Sequence, residues 1–129
     1  MTVLPITSIF VATFAVALVA LSFPISLRRA KVGKMVGDSA DETLRRRIRA
    51  QGNFIEYVPL GVISLCLVEA QVAPAWMVVA IGTTLALGRL LHAIGMLRGL
   101  EAVRGFGMLF TYAALLVSAG RLVLDAAPW

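Results

Sequence analysis

Charged residues are scarce in this sequence and absent from long stretches of it. Only 15% of the 129 residues are charged, whereas 60% are hydrophobic. A soluble globular domain usually has about 25% charged and about 45–50% apolar residues. No charged residue occurs over 3–27, 71–88 or 105–120. This composition excludes an ordinary soluble domain and indicates a protein that is embedded in a membrane.

Cysteine and histidine are also nearly missing. The single cysteine, Cys66, excludes an internal disulfide and a cysteine-cluster metal site. The single histidine, His92, has no second histidine or cysteine nearby, and a zinc site needs three or four such ligands. We therefore expect no metal, and we interpret Cys66 as a small apolar filler within a helix.

Four segments are long and apolar enough to cross a membrane. A spanning helix needs about 20 mostly apolar residues, and a backbone in lipid must pair its own amides. The alternation that is typical of barrel strands is missing. The sequence therefore predicts an all-α, integral-membrane, four-helix domain over residues 1–129. Its helices are expected at about 3–29, 42–70, 74–98 and 102–124, and the first is expected to be a span rather than a cleaved signal.

Basic residues gather on one side of these helices. Residues 28–49, from the end of helix 1 to the start of helix 2, hold eight lysines and arginines against three acids, and Arg98 and Arg104 flank the turn between helices 3 and 4. The turn between helices 2 and 3 has no basic residue. Because lysine and arginine mark the cytoplasmic side, both termini are predicted to be non-cytoplasmic. The net charge of +5 follows from this bias and requires no nucleic-acid partner, while the basic rim favours contact with anionic membrane lipid.

Helix 2 carries polar residues into a segment that is otherwise lipid-soluble. At 100° per residue, one stripe roughly 80° wide holds Arg45, Arg49, Asn53 and Glu56. A charge at mid-membrane costs on the order of 3 kcal/mol, so such residues usually face a bundle interior or a wet cavity. The stripe therefore predicts a ligand site. The alternative is an internal salt bridge between Arg49 and Glu56 that only orients the helices.

Polar residues also enter helices 3 and 4 near the same membrane side. Arg89 and His92 are one turn apart on helix 3, and Arg104 begins helix 4. Together with the stripe on helix 2 they belong to a mostly cationic set with one acid, Glu56. This set also includes Arg28, Gln51 and Tyr57. Such a set suits a ligand with more than one carboxylate, one ammonium group and an amide backbone. An apolar second substrate would reach this site from the bilayer.

These residues match a known pattern. The segment RAQGNFIEYVP, residues 49–59, resembles the second-helix signature of the MAPEG family, the membrane-associated proteins in eicosanoid and glutathione metabolism. The run RRA that begins at Arg28 is similar to the basic exit of the family's first helix. The run GRLLHAIGM, residues 88–96, resembles its third-helix segment. Length, helix number and topology agree over essentially the whole chain.

The resemblance implies a homotrimer that binds glutathione between neighbouring subunits near the cytoplasmic side. Glutathione would be a co-substrate, with a hydrophobic small molecule as the second substrate and no metal. The residues that would bind glutathione are Arg28, Arg49, Gln51, Asn53, Glu56, Tyr57, Arg89 and His92.

The resemblance also implies that Arg104 stabilises the glutathione thiolate. A free thiol titrates near 8.5, and a nearby cation favours the nucleophilic thiolate. A guanidinium supplies that charge without acting as a base. An oriented thiolate beside an apolar electrophile then gives conjugation, or reduction of a peroxide, with no protein nucleophile.

Three positions depart from the family pattern. Met96 stands where several members have an aromatic hydroxyl, Gly52 where some have an arginine, and Gly105 where a member with isomerase activity has a serine. These departures argue against a specialised eicosanoid isomerase and leave a general glutathione transferase or peroxidase. The alternative is a non-enzymatic lipid- or partner-binding membrane protein of the same fold. A transporter is disfavoured because the sequence shows no paired broken helices.

Overall fold

The computed structural model describes residues 3–127 and contains four α-helices. These are α1 (Pro5–Val32), α2 (Glu42–Ala70), α3 (Ala75–Arg98) and α4 (Glu101–Ala126). No strand occurs among the described residues. Each helix is long and apolar enough to cross a membrane. The fold class is therefore all-α with four candidate spans, as the sequence predicts; the homotrimer stays a prediction.

Local chemistry explains where the helices begin and end. The Asp41 side chain accepts a hydrogen bond from the Leu44 amide at 2.8 Å and caps α2. Gly33 and Gly99 adopt left-handed backbone conformations at the carboxyl ends of α1 and α3. The bounds of α2 coincide with the prediction, and no other end differs by more than three residues. The largest difference is in α1, which continues past Arg29 to Val32 because the left-handed residue comes only at Gly33.

Helices α2 and α3 form the middle of the bundle. Helix α1 packs against both of them on one side, α4 packs against both on the other, and α1 does not contact α4. The buried core lies among these helices and includes Phe14, Phe54, Leu65, Leu85 and Ala114. Most other large apolar side chains are exposed on the outer faces. A surface of this kind suits contact with lipid tails rather than water.

Glycines bring α3 and α4 into backbone contact. A Cβ atom added to Gly95 would meet the backbone of Arg104, and one added to Gly107 would meet the backbone of His92. Membrane helices often use small residues in this way, because close backbone approach maximises van der Waals contact where no hydrophobic effect drives association. The two glycines therefore fix how far the start of α4 lies from the last turns of α3.

The amino end of α1 is capped by a side chain from another helix. Residue 4 contributes no side-chain cap, and the Glu69 carboxylate accepts hydrogen bonds from the amides of Ile6 and Thr7 at 2.9 and 2.7 Å. Amides at a helix start have no partner within the helix, and a carboxylate also interacts well with the positive end of the helix dipole. This contact ties the first turn of α1 to the last turn of α2.

Candidate functional site

An open groove lies among α2, α3, α4 and the α1–α2 loop and has a volume of about 750 Å³. Five of the nine predicted site residues line it together, and these are Arg49, Asn53, Glu56, His92 and Arg104. Two of the positions that depart from the family pattern, Gly52 and Met96, line it as well. The stripe on helix 2 thus faces the polar residues of helices 3 and 4.

The charged groups of this groove do not neutralise one another. Among residues 3–127 no ion pair involves Arg49, Glu56 or Arg104, and all three side chains are exposed. The internal salt bridge between Arg49 and Glu56, the alternative from the sequence, is therefore not formed. The groove offers separated cations and an acid to a guest that carries both signs of charge.

Arg89 lies behind the groove rather than in it. Its side chain is only 3% exposed. Its Nε donates to the Thr111 hydroxyl on α4 at 3.0 Å, and one terminal nitrogen donates to the same hydroxyl and to the Met108 sulfur. The other terminal nitrogen donates to the Asn53 side-chain oxygen on α2 and to the Asn53 carbonyl at 3.3 Å. All three guanidinium nitrogens donate hydrogen bonds within the protomer. Arg89 therefore links α2, α3 and α4, the three helices that border the groove.

This contact orients the amide of Asn53. A guanidinium has only donors, so the side-chain oxygen of Asn53 must face Arg89. The side-chain nitrogen of Asn53 makes no hydrogen bond among the described residues, and Asn53 lines the groove. Asn53 therefore presents a donor to a guest and selects for an acceptor there, such as a carboxylate or carbonyl oxygen.

Tyr57 lies one turn further along α2 and does not line the groove. Its ring centroid is 5.2 Å from the Arg89 guanidinium carbon and 6.0 Å from the ring centroid of Tyr112 on α4. A cation over an aromatic face is attracted by the ring quadrupole. Tyr57 therefore supports the arginine that holds Asn53.

Arg28 near the end of α1 and Gln51 on the face of α2 towards α1 both lie away from the groove. Arg28 donates to Asp41 at 3.1 and 2.6 Å, and Gln51 donates to the Ser22 hydroxyl at 2.9 Å. Neither lines the groove. One protomer therefore distributes the predicted glutathione-binding set over two faces.

The last turn of α1 and the loop that follows it add residues that the sequence reasoning did not place in the site. Arg29, Gly37 and Asp38 all line the groove. The Arg29 guanidinium donates to the carbonyl oxygens of Lys34 and Gly37 at 3.3 and 2.9 Å, which holds the loop at the groove rim. Helical periodicity gives no signal for a loop residue such as Asp38. Arg29 enters the sequence pattern only as the second residue of the run RRA that begins at Arg28.

The ion pair of Arg28 and Asp41 stabilises this end of the molecule. The Arg28 guanidinium, through its hydrogen bonds, lowers the pKa of the Asp41 carboxyl below its ordinary value, and the Leu44 amide lowers it further. Both side chains are about a quarter exposed. Since Asp41 also caps α2, one carboxylate connects the end of α1, the loop and the start of α2.

Comparison with known proteins gives one family. The MAPEG family model matches residues 6–124. The "Inner membrane protein YecN" of Escherichia coli strain K12 is 31% identical over 112 residues, which cover 87% of this chain and 86% of that protein. The protein of the same name from Escherichia coli O6:H1 strain CFT073 matches equally well. No solved structure matches the chain significantly.

Proposed function

The chain belongs to the MAPEG family and is an integral, multi-pass membrane protein, and from this premise we propose that it is a membrane-embedded glutathione transferase. It binds glutathione in the groove among α2, α3 and α4, activates the thiol, and directs it at a hydrophobic electrophile. Peroxide reduction by the same thiolate is a second outcome of the same chemistry. No metal takes part in either reaction.

One observation carries this proposal, which is the convergence of separated charges on an open groove. Arg49, Glu56 and Arg104 come from two helices and meet at one cavity without pairing. An unpaired charge next to lipid is energetically unfavourable unless the charged group faces water or a bound ligand. Glutathione has two carboxylates and one ammonium group, and a mixed set of arginines and one glutamate complements them.

The placement of Arg28 and Gln51 supports a site between subunits. They lie on the α1 side of α2, away from the groove of their own protomer. In a homotrimer, the groove of one protomer and the α1–α2 face of the next would lie together, so one glutathione would contact both. Arg28 would then exchange part of its contact with Asp41 for a ligand carboxylate.

Arg104 has the activating role in the proposed reaction. It stands at the start of α4, lines the groove and is exposed. Its positive charge stabilises the thiolate, so the thiol proton leaves to solvent at neutral pH. The thiolate sulfur then forms a bond to the electrophilic carbon, and the leaving group departs with the bonding electrons. Binding that orients the thiolate converts the encounter to an intramolecular one.

The distribution of charge supports a groove on the cytoplasmic side. Most basic residues lie in the loop that borders it and in the helix ends next to that loop and to the α3–α4 turn, whereas the turn from α2 to α3 holds none. By the positive-inside rule both termini face away from the cytoplasm. Glutathione would reach the groove from water, and the apolar electrophile would reach it from the membrane.

Equilibrium binding of glutathione to detergent-purified protein tests the proposal. We expect saturable binding that weakens at least tenfold in Arg49→Gln, because a charge-assisted contact to a carboxylate contributes on the order of 1.5–3 kcal/mol. The control is Arg98→Gln, which removes an arginine from the same end of the molecule but from no described cavity. No detectable binding at millimolar glutathione would instead favour a non-enzymatic lipid- or partner-binding protein.

A further inference from the structure

A second cleft lies between α1 and α3 and shares no lining residue with the groove among α2, α3 and α4. Its volume is about 510 Å³, and its walls are almost entirely apolar, with Phe10, Phe14, Leu90 and Ile94 among them. None of the residues predicted from the sequence to bind glutathione lines it except Arg89, whose guanidinium is engaged elsewhere. We call this cavity the apolar cleft.

At the end nearest the first turns of α2, the apolar cleft meets a polar cavity of about 420 Å³. Ala20, Leu21 and Leu97 line both cavities, so the two adjoin at these residues. The polar cavity adds Arg46 and Arg47 from the first turns of α2, at the end of the molecule where the basic residues of the sequence gather. We call it the arginine head.

The two arginines keep donors for a guest. Arg47 donates through one terminal nitrogen to the Pro24 carbonyl at 3.0 Å and has no other hydrogen bond among the described residues. Arg46 donates through Nε to Glu42 at 2.8 Å. Glu42 also lines the head, so it offsets one of the two charges and leaves the head with a net charge of +1. Arginine nitrogens in a planar fork match the oxygens of a phosphate.

The dimensions also suggest a particular guest. From Phe10 to Ala20 along α1 the apolar cleft extends roughly 15 Å, at 1.5 Å per residue. That is half of a hydrocarbon core of about 30 Å, the depth reached by one acyl chain in one leaflet. A cationic cavity at the interface, continued by an apolar cleft one leaflet deep, complements a phosphate attached to a fatty chain.

We infer that the arginine head and the apolar cleft together bind an anionic phospholipid. Its phosphate contacts Arg46 and Arg47, and one acyl chain fills the space between α1 and α3. Helix α1 contacts α3 weakly and does not contact α4, so a chain in the cleft supplies packing that the protein itself leaves open. This site does not depend on the proposed transferase function.

Native mass spectrometry of the full chain in mild detergent tests the site. The protein is mixed with dioleoyl phosphatidylglycerol, with dioleoyl phosphatidylcholine or with inorganic phosphate, and the retained ligand and the melting temperature are measured. We expect retention of the anionic lipid with a rise in melting temperature, and little effect of the neutral lipid or of inorganic phosphate. Arg47→Gln should weaken retention roughly fivefold. One basic residue near the membrane surface contributes about 1 kcal/mol to the binding of an anionic lipid, which corresponds to that change in affinity.

Matched variants separate the site from general lipid contact. Ala20→Phe fills the junction of the two cavities and should abolish the lipid-dependent rise in melting temperature, whereas Ala12→Phe, on the same helix but lining no described cavity, should leave it unchanged. Arg98→Gln is the control for charge. The inference is overturned if the neutral lipid is retained as well as the anionic one, if inorganic phosphate alone reproduces the stabilisation, or if Arg47→Gln and Ala20→Phe behave as their controls.

Discussion

The guanidinium of Arg89 on α3 donates to the side-chain oxygen of Asn53 on α2. The same guanidinium donates to Thr111 on α4, so one buried side chain connects the three helices that enclose the groove. Because Arg89 has no acceptor, the contact also fixes the amide nitrogen of Asn53 as the group that meets a guest. Arg89, which the sequence suggested as a ligand contact, therefore holds in place a residue that lines the groove.

Replacing Asn53 with aspartate tests this orientation. Asn53→Asp keeps an oxygen for Arg89 but replaces the donor in the groove with an acceptor, so glutathione should bind at least tenfold more weakly, since an acceptor now faces an acceptor. The melting temperature should stay near that of the wild type, because the contact with Arg89 becomes an ion pair. Asn53→Ala, by contrast, should lower both the affinity for glutathione and the melting temperature. Unchanged affinity in Asn53→Asp, measured by calorimetry, would remove Asn53 from the ligand contacts.

The role of Arg104 in activating the thiol is tested by Arg104→Ala. Loss of one preorganised electrostatic group typically reduces the turnover number about 100-fold or more, so conjugation of a test electrophile should fall by that factor. Glutathione affinity should change only a few fold, and the ultraviolet absorbance of the bound thiolate at neutral pH should disappear. Arg98→Ala should retain activity. Full activity in Arg104→Ala would exclude this residue from the mechanism.

Backbone contact between α3 and α4 predicts a strong effect of a single methyl group. In Gly95→Ala the new Cβ would meet the backbone of Arg104, and overpacking of this kind costs about 1–3 kcal/mol. We expect a lower melting temperature and a reduced turnover number, because the start of α4 must shift. Gly120→Ala on α4 meets nothing within 4 Å and should be neutral or stabilising. Equal melting temperatures for the two variants would show that the helices do not approach this closely.

The ion pair of Arg28 and Asp41 predicts a pH dependence of stability. Arg28 lowers the pKa of Asp41 in the folded protein, so the pair stabilises above the unfolded pKa of about 3.9 and its contribution is lost as pH falls through the lower folded pKa. Asp41→Asn keeps a good N-cap residue but removes the pair. Its melting temperature should be below that of the wild type at neutral pH, and the two should converge in acid. A constant difference down to strongly acidic pH would contradict this explanation.

Helical periodicity accounts for most of what the sequence revealed about the groove. Arg49, Asn53 and Glu56 fall within one stripe on α2 and line one cavity, as the 100° rotation per residue requires. The same geometry places Gln51 about 200° from Arg49, on the opposite face, and the structure has it bonded to Ser22. Its assignment to the site came from its depth in the helix and from the family resemblance, not from the stripe, so a contribution across a subunit boundary stays a prediction.

Other features depend on contacts that no local pattern specifies. The partners of Arg89 lie 36 residues before it and 22 residues after it, so its engagement inside the protomer could not be read from the spacing to His92. The groove-lining position of Asp38 depends on the path of a loop that Arg29 holds. Sequence reasoning thus found the polar face of α2 and Arg89 itself, but not the contacts through which Arg89 supports that face.

The cap that Glu69 provides has a consequence for how the protein is made. The amides of Ile6 and Thr7 receive their partner from a residue 62 or 63 positions later, which the ribosome adds only after two complete spans. Until then, the leading helix sits in the bilayer with an open amino end. The cap can form only once the end of α2 lies on the same side of the membrane as the start of α1, and it needs no residue of α3 or α4.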